Sequence, residues 1–144
     1  MRILYTIGYQ GRTIENFFQA LEERSIRTLV DVRFSPASRK PGFSREPLSK
    51  MCARNGISYL TAPELGAPRE IRNLSAGAGR EAFSAAYRLR LGAYKNNLNL
   101  IYSWIKHTTV CLLCFERDPG QCHRSLLAES FKNLSSDELK IIHL

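Results

Sequence analysis

The 144-residue sequence lacks any apolar run near the roughly 20 residues that a membrane-spanning helix requires. Its first residues, Met1–Tyr5, lead into a strand-like run without the apolar core of a signal peptide. It also contains no internal repeat, interdomain linker or low-complexity tract. We therefore expect one domain spanning residues 1–144, a cytoplasmic location and no membrane partner.

The familiar sequence motifs of nucleotide-binding and hydrolytic enzymes are also missing. There is no GxGxxG, P-loop, GxSxG or HExxH motif. A phosphatase-type loop needs a cysteine, five intervening residues and then an arginine, whereas His123 and Arg124 follow Cys122 directly. These absences exclude the most easily recognised enzyme classes and leave the reaction open.

Only four cysteines are present, at positions 52, 111, 114 and 122. Cys111 lies in an apolar strand pattern and Cys52 in a helical one, and a cytosolic compartment keeps thiols reduced. We therefore expect no disulfide framework. Cys111 and Cys114 form a CxxC pair, but residues i and i+3 of a strand face opposite sides of its sheet. This placement argues against redox chemistry at that pair.

Acidic residues are outnumbered by basic ones, 13 to 21, which gives a net charge of +8. Fifteen of the basic residues are arginine, whose guanidinium group binds phosphate in a bidentate manner. Between Arg33 and Arg54 there are six basic residues and one acid. The composition indicates an anionic partner such as a nucleotide or a nucleic acid, although a solvated basic surface explains it equally well.

Apolar periodicity predicts alternating strands and helices. Strands are predicted at Ile3–Ile7, Thr28–Val32, Ile57–Leu60, Val110–Phe115 and Leu139–Leu144. Helices are predicted from Thr13 to Arg24, from Glu46 to Asn55, from Arg80 to His107 with a division at Gly92, and from Cys122 to Phe131. Residues Arg69–Gly79 show no clear period and are predicted as a long loop. The alternation favours a single three-layer α/β domain with a mainly parallel sheet of about five strands, flavodoxin-like or Rossmann-like.

Polar residues follow the predicted strands at their carboxyl ends. They are Tyr9 after the first strand, Asp31 and Arg33 at the second, Glu64 after the third, and Cys114 with Glu116 at the fourth. Parallel strands bring these ends to one edge, where open α/β sheets bind their ligands. Asp31 either pairs with Arg33 to hold a loop or contacts a ligand, and the sequence favours neither role.

Cys122, His123 and Arg124 stand near the predicted start of a helix. The helix dipole and the neighbouring cations would favour the Cys122 thiolate, and the backbone amides would hold an anion. The alternatives are a cysteine that packs under the helix and an arginine that pairs with Glu116. Cys114, Cys122 and His123 with a carboxylate also form a possible zinc set, although the gap between the two cysteines is not a standard ligand spacing.

A set of motifs in this order resembles a known family. The motifs are Thr6–Tyr9, Leu29–Arg33 with Pro36 and Ser38-Arg39, Gly56–Tyr59, Glu64–Gly66, and Cys114-x-Glu116-x-Asp118-Pro119-x-x-Cys122-His123-Arg124. Together they resemble the bacterial and archaeal family filed as domain of unknown function 488. The resemblance runs from about Tyr5 to Phe131 and implies a small cytosolic α/β protein whose activity is not established. The family pattern often has histidine where this chain has Tyr9. The motif residues that the resemblance carries over are Asp31, Arg33, Ser38, Arg39, Glu64, Gly66, Glu116, Cys122, His123 and Arg124.

Three functions fit these residues. The first is an enzyme acting on a phosphate-bearing substrate, in which Arg33, Arg39 and Arg124 hold the anion and Glu116 or Glu64 is the general acid or base. Cys122 would then be the nucleophile or support an oxyanion. Tyr9, Asp31 and His123 complete the expected anion site. The second is a nucleic-acid-binding module without chemistry that uses the basic 33–54 segment, and the third is a zinc-stabilised structural domain. The oligomeric state is not predicted.

Overall fold

Five parallel strands form one central sheet in the computed structural model, which describes residues 1–144. The strands are β1 (Arg2–Gly8), β2 (Thr28–Asp31), β3 (Ser58–Thr61), β4 (Val110–Cys114) and β5 (Leu139–His143). Their order across the sheet is β3-β2-β4-β1-β5. The central strand β4 pairs with both β1 and β2, and all five of its residues are buried.

Six helices connect or flank these strands. They are α1 (Ile14–Glu23), α2 (Arg45–Arg54), α3 (Arg69–Gly77), α4 (Arg80–Leu91), α5 (Lys95–His107) and α6 (Arg124–Leu134). Thr13 caps α1, because its side chain accepts a hydrogen bond of 3.0 Å from the backbone N–H of Asn16. None of the six helices combines the length and apolar character that a membrane span requires.

The helices cover both faces of the sheet. One apolar cluster packs α1 and α2 against the sheet, and the other packs α4, α5 and α6 against the opposite face. Successive residues of β4 alternate between the two clusters, so that Cys111 and Leu113 face the first and Leu112 and Cys114 face the second. The predicted three-layer α/β architecture with a parallel sheet is therefore confirmed.

The predicted long loop at Arg69–Gly79 is wrong, because residues Arg69–Gly77 form helix α3. This helix has no fully buried residue, and only Ile71 and Leu74 pack partly against the core. With only these two large apolar residues in a polar segment, the sequence offers too few positions from which to recognise a helix. The division expected at Gly92 is confirmed, since α4 ends at Leu91 and a short 3-10 turn at Gly92–Tyr94 precedes α5.

Helix α6 begins two residues later than predicted. Cys122 has extended backbone, with φ −127° and ψ 157°, and it follows a 3-10 turn at Pro119–Gln121. His123 is the N-cap of the helix. Asp118 stabilises the preceding turn by accepting a 2.8 Å hydrogen bond from Gly120 N–H. Cys122 therefore lies just outside the first turn, although the Arg124 N–H still points at its sulfur from 3.5 Å.

Candidate functional site

A cavity of about 450 Å³ opens at the carboxyl edge of the sheet. Residues that follow β1, β2 and β4 line it together with side chains from α3 and the start of α6. They are Tyr9, Arg33–Ser35, Ala37–Lys40, Ala67, Arg72, Cys114–Glu116 and His123. The structure therefore brings together five of the nine predicted site residues, namely Tyr9, Arg33, Arg39, Glu116 and His123.

Asp31 and Arg33 form a buried ion pair beneath this cavity. Arg33 donates from Nε to Asp31 Oδ1 at 2.8 Å and from Nη2 to Oδ2 at 2.6 Å, and Tyr59 donates its hydroxyl to the same carboxylate. Burial by itself lowers the pKa of Arg33, but the hydrogen bonds and charge of Asp31 outweigh it and raise that pKa. Burial, with the adjacent Asp31 charge, raises the pKa of Tyr59. Arg33 therefore stays charged and the Tyr59 phenol stays neutral at neutral pH.

Arg33 also fastens the loop that follows β2. Its Nη1 donates to the backbone oxygen of Phe43 at 2.7 Å, and its guanidinium lies 5.2 Å from the ring centre of Tyr9. Tyr9 in turn stacks on Phe43 with 4.6 Å between ring centres and meets Phe115 edge-on at 5.3 Å. These contacts fix the loop that carries Arg39 and Lys40.

Three cations around the cavity are free of ion pairs. The three ion pairs of the chain join Arg2 to Asp137, Arg33 to Asp31 and Lys50 to Glu46. Arg39, Lys40 and Arg72 belong to none of them, and Glu116 is the one acidic residue in the cavity lining. The cavity therefore has an excess of positive charge. Arg72 is not among the predicted site residues, because its segment is predicted as a loop.

Cys114 and Cys122 are joined in a disulfide, and their Cα atoms are 7.6 Å apart. The structure therefore contains one disulfide where no disulfide framework is expected from the sequence, while Cys52 and Cys111 are free and buried. The loop after β4 folds back and brings Cys122 to the end of β4, the strand that carries Cys114. The spacing of the two cysteines in the sequence does not indicate this contact. Cys114 lines the cavity, whereas Cys122 does not. The Glu116 carboxylate is 3.2 Å from Cys114 Sγ.

His123 completes the cluster around the two sulfurs. Its Nε2 lies 2.8 Å from the backbone oxygen of Val32. A carbonyl oxygen only accepts, so Nε2 carries the proton and Nδ1 keeps its lone pair. Nδ1 lies 3.6 Å from Cys122 Sγ. Burial lowers the pKa of His123 to about 4, although the bond to Val32 partly opposes the shift, so the ring is neutral at pH 7.

Arg124 is fully buried and does not line the cavity. Its Nε donates to Thr6 Oγ1 at 3.1 Å, its Nη2 to the Arg117 carbonyl at 3.1 Å, and its Nη1 to the Glu116 carbonyl. The guanidinium thus joins β1 to the loop after β4. Arg124 is predicted from the sequence to bind an anion, but all three nitrogens of its guanidinium donate to groups within the protein.

Glu64 lies apart from the other predicted residues. It accepts a 2.9 Å hydrogen bond from Asn97 Nδ2 and lines a smaller cavity beside α5. The structure does not bring it together with Glu116, the other predicted general acid or base. Of these two carboxylates, Glu116 is the one in the cationic cavity.

Comparison with known proteins gives one match. The model of the family described as Domain of unknown function DUF488 matches residues 13–131, most of the chain. No curated protein matches the sequence, and no solved structure matches it either. The matched range includes the cationic loop after β2, helix α3 and the Cys114–Arg124 segment.

Proposed function

We propose that this chain, which belongs to the family described as Domain of unknown function DUF488, is an enzyme that binds a phosphate-bearing substrate in the cavity at the carboxyl edge of its sheet. The observation that carries the proposal is the grouping of Arg39, Lys40 and Arg72 around this cavity without an ion-pair partner. Guanidinium groups bind phosphate oxygens through parallel hydrogen bonds, which suits a nucleotide or a nucleic-acid strand.

The buried Asp31–Arg33 ion pair beneath these cations supports the proposal. Asp31 and Arg33 hold the loop after β2 through Phe43, so that Arg39 and Lys40 need little further ordering when an anion binds. Arg39 and Arg72 are exposed to solvent. They approach the cavity from the β2 loop and from α3, and a phosphate group bound between them would meet cations from both elements.

Glu116 is the proposed proton-transfer residue. It is the acidic side chain of the cavity, and its carboxylate lies beside Cys114 at the end of β4. A carboxylate within reach of a bound phosphate ester is suited to accept a proton from an attacking group or to donate one to a leaving group. His123 stays neutral and is anchored to Val32, which suits it to a supporting role.

The binding step is tested by calorimetric titration with inorganic phosphate and with AMP. We expect the Arg39→Ala/Arg72→Ala variant to weaken AMP binding at least tenfold, since two phosphate contacts are lost. The matched control is Arg24→Ala/Arg54→Ala, which removes the same charge from exposed positions outside the cavity. Equal affinity in the two variants, or no binding of either anion by the wild type, would contradict the proposal.

The catalytic step is tested on a panel of nucleotides and phosphate esters, with products identified by mass spectrometry. Glu116→Gln keeps the size of the side chain and removes its charge. We expect it to abolish turnover while AMP affinity and melting temperature stay near the wild-type values. Glu64→Gln is the control, because Glu64 lies outside this cavity. Turnover that survives in Glu116→Gln would remove Glu116 from the mechanism.

A second function is a nucleic-acid-binding module without chemistry. The observation in its favour is that α2 carries three exposed cations, Arg45, Lys50 and Arg54, which continue the basic stretch that begins at Arg39. It predicts that binding depends on α2 as much as on the cavity. The salt dependence of binding separates the two functions.

A further inference from the structure

We propose that the reduced chain binds one zinc ion through Cys114 Sγ, Cys122 Sγ and His123 Nδ1, with the fourth coordination position open to the cationic cavity. The three ligand atoms lie within 4.8 Å of one another. All three residues are at least nine-tenths buried, with 1%, 2% and 7% of their surfaces exposed. Two thiolates and one imidazole form a ligand set that zinc binds in tetrahedral geometry.

The hydrogen bonds around the three ligands are those of a metal site. The Nε2–H of His123 donates to Val32, which leaves Nδ1 as a lone-pair donor directed at the sulfurs. Metal-binding histidines are commonly oriented by such a bond from the other ring nitrogen to a backbone carbonyl. Arg124 adds a donor to each sulfur, from its backbone N to Cys122 at 3.5 Å and from Nη1 to Cys114 at 3.6 Å. Such donors stabilise thiolate charge.

The backbone spacing of the two cysteines also suits a metal between them. Their Cα atoms are 7.6 Å apart, whereas ordinary disulfides span roughly 4.4–6.8 Å. Two thiolates on one zinc ion are about 3.8 Å apart, given Zn–S bonds of about 2.3 Å in a tetrahedron. The 7.6 Å between the two Cα atoms therefore fits two sulfurs bound to one zinc ion better than it fits two sulfurs bonded to each other.

Reduction of the disulfide must precede metal binding. A dithiol reductant supplies two electrons and two protons, which converts the disulfide into two thiols and the reductant into its own disulfide. Zn²⁺ then displaces the two thiol protons and is held by the two thiolates and neutral His123. A disulfide oxidant would take up the two electrons and become two thiolates, which re-forms the Cys114–Cys122 bond and releases the ion.

The open position connects the metal to the cavity. Cys114 and His123 line the cavity floor, and Glu116 lies beside Cys114. A zinc ion with three protein ligands keeps one position for water or a substrate oxygen, as catalytic zinc sites do. That a phosphate oxygen takes this position rests on the proposed function, whereas the three protein ligands do not depend on it.

The test uses Co²⁺ in place of zinc, because tetrahedral cobalt with thiolate ligands absorbs strongly in the visible and near ultraviolet. We expect the full-length reduced protein to bind one equivalent of Co²⁺ with thiolate-to-metal bands, and zinc to displace it. Cys114→Ser, Cys122→Ser and His123→Asn should each lower Co²⁺ affinity at least tenfold. Cys111→Ser is the matched control, three residues before Cys114 on the same strand and facing the opposite core.

A second measurement needs no variant, in case those substitutions unfold the chain. Zinc should protect Cys114 and Cys122 of the reduced wild type from alkylation, and a chelator should remove that protection. Cys52 and Cys111 should react equally slowly with and without zinc. No cobalt bands in the reduced wild type, or bands unchanged in both cysteine variants, would overturn the site. Phosphate titrations of Arg39→Ala/Arg72→Ala are independent of this result, so failure of either proposal is distinguishable.

Discussion

At the scale of single residues, four hydrogen-bond donors offset the cost of burying the Asp31 carboxylate. Arg33 supplies its Nε, its Nη2 and its backbone N–H, and Tyr59 supplies its hydroxyl. The remaining Arg33 donor, Nη1, reaches Phe43. These bonds use three of the five N–H groups of the guanidinium, and through them the pair holds the loop that carries Arg39.

Removal of this anchor should destabilise the fold strongly. We expect Asp31→Asn to lower the free energy of unfolding by about 3–5 kcal/mol, because it leaves the Arg33 charge buried without its partner. Urea denaturation measures this change. Asp137→Asn breaks the exposed pair with Arg2, whose side chains are 35% and 65% exposed, and should cost at most about 1 kcal/mol. Comparable losses in the two variants would contradict the anchoring role.

The sequence indicates some of these residue roles and conceals others for physical reasons. Asp31 at the end of an apolar run and Arg33 two residues later are visible as a possible pair. The sequence does not show that Arg124 joins β1 to the loop after β4. Two of its acceptors are backbone carbonyls of that loop, and the path of the loop depends on the whole fold. The pairing of Cys114 with Cys122 is hidden by the same loop.

At the scale of secondary-structure elements, the site depends on two places where one backbone segment packs closely against another. Gly8 ends β1 directly beneath the loop after β4, and a Cβ atom at Gly8 would meet the Glu116 carbonyl and lie 2.9 Å from Arg124 Nη1. Gly66 meets the backbone of Phe34 in the same manner. Glycine at these positions lets β1 and the turn after β3 pack against the loops that line the cavity.

Gly8→Ala should therefore disturb the site as well as the fold. We expect it to lower the free energy of unfolding by about 1–3 kcal/mol, because the added methyl group forces the loop at Glu116 outward. AMP binding should weaken in the same variant. Gly77→Ala at the end of α3 is the control, since nothing lies within 4 Å of its Cβ position, and its stability should stay the same or rise by up to about 1 kcal/mol. An unchanged melting temperature in Gly8→Ala would contradict this close packing.

Helix α3 offers a second prediction at this scale. Asn73→Pro removes a helical hydrogen bond and breaks the helix beside Arg72, at a local cost of about 3 kcal/mol or more. Because α3 buries no residue fully, we expect global unfolding to change little while AMP affinity falls as it does in Arg72→Ala. Calorimetry and urea denaturation measure the two effects separately. Asn73→Ala is the control, and a global loss of stability matching the local cost would show that α3 belongs to the cooperative core.

The order of the strands is a property of the whole molecule that periodicity cannot supply. Apolar patterns identified all five strands and placed their polar residues at one edge, since a parallel sheet aligns its carboxyl ends. They did not indicate that β4 separates β1 from β2, because strand order depends on how the helices cross the sheet. This order puts Cys114 and Glu116 between Tyr9 and Arg33, and that juxtaposition forms the cavity.

The net charge of +8 makes binding of a nucleic-acid strand sensitive to salt, and the steepness of that dependence reports which cations take part. For a short single-stranded oligonucleotide held by Arg39, Lys40 and Arg72, log K against log salt should have a slope of about −2, from about 0.7 per phosphate contact. Participation of Arg45, Lys50 and Arg54 would steepen it to about −4.

Titrations of the oligonucleotide between low and moderate salt therefore decide between the cavity and the surface of α2. We expect Arg72→Ala to make the slope shallower by about 0.7, because one phosphate contact is lost. Arg54→Ala, which removes the same charge from α2, should leave the slope unchanged. The reverse result would assign binding to the α2 surface and would favour a nucleic-acid-binding module over an enzyme whose substrate enters the cavity.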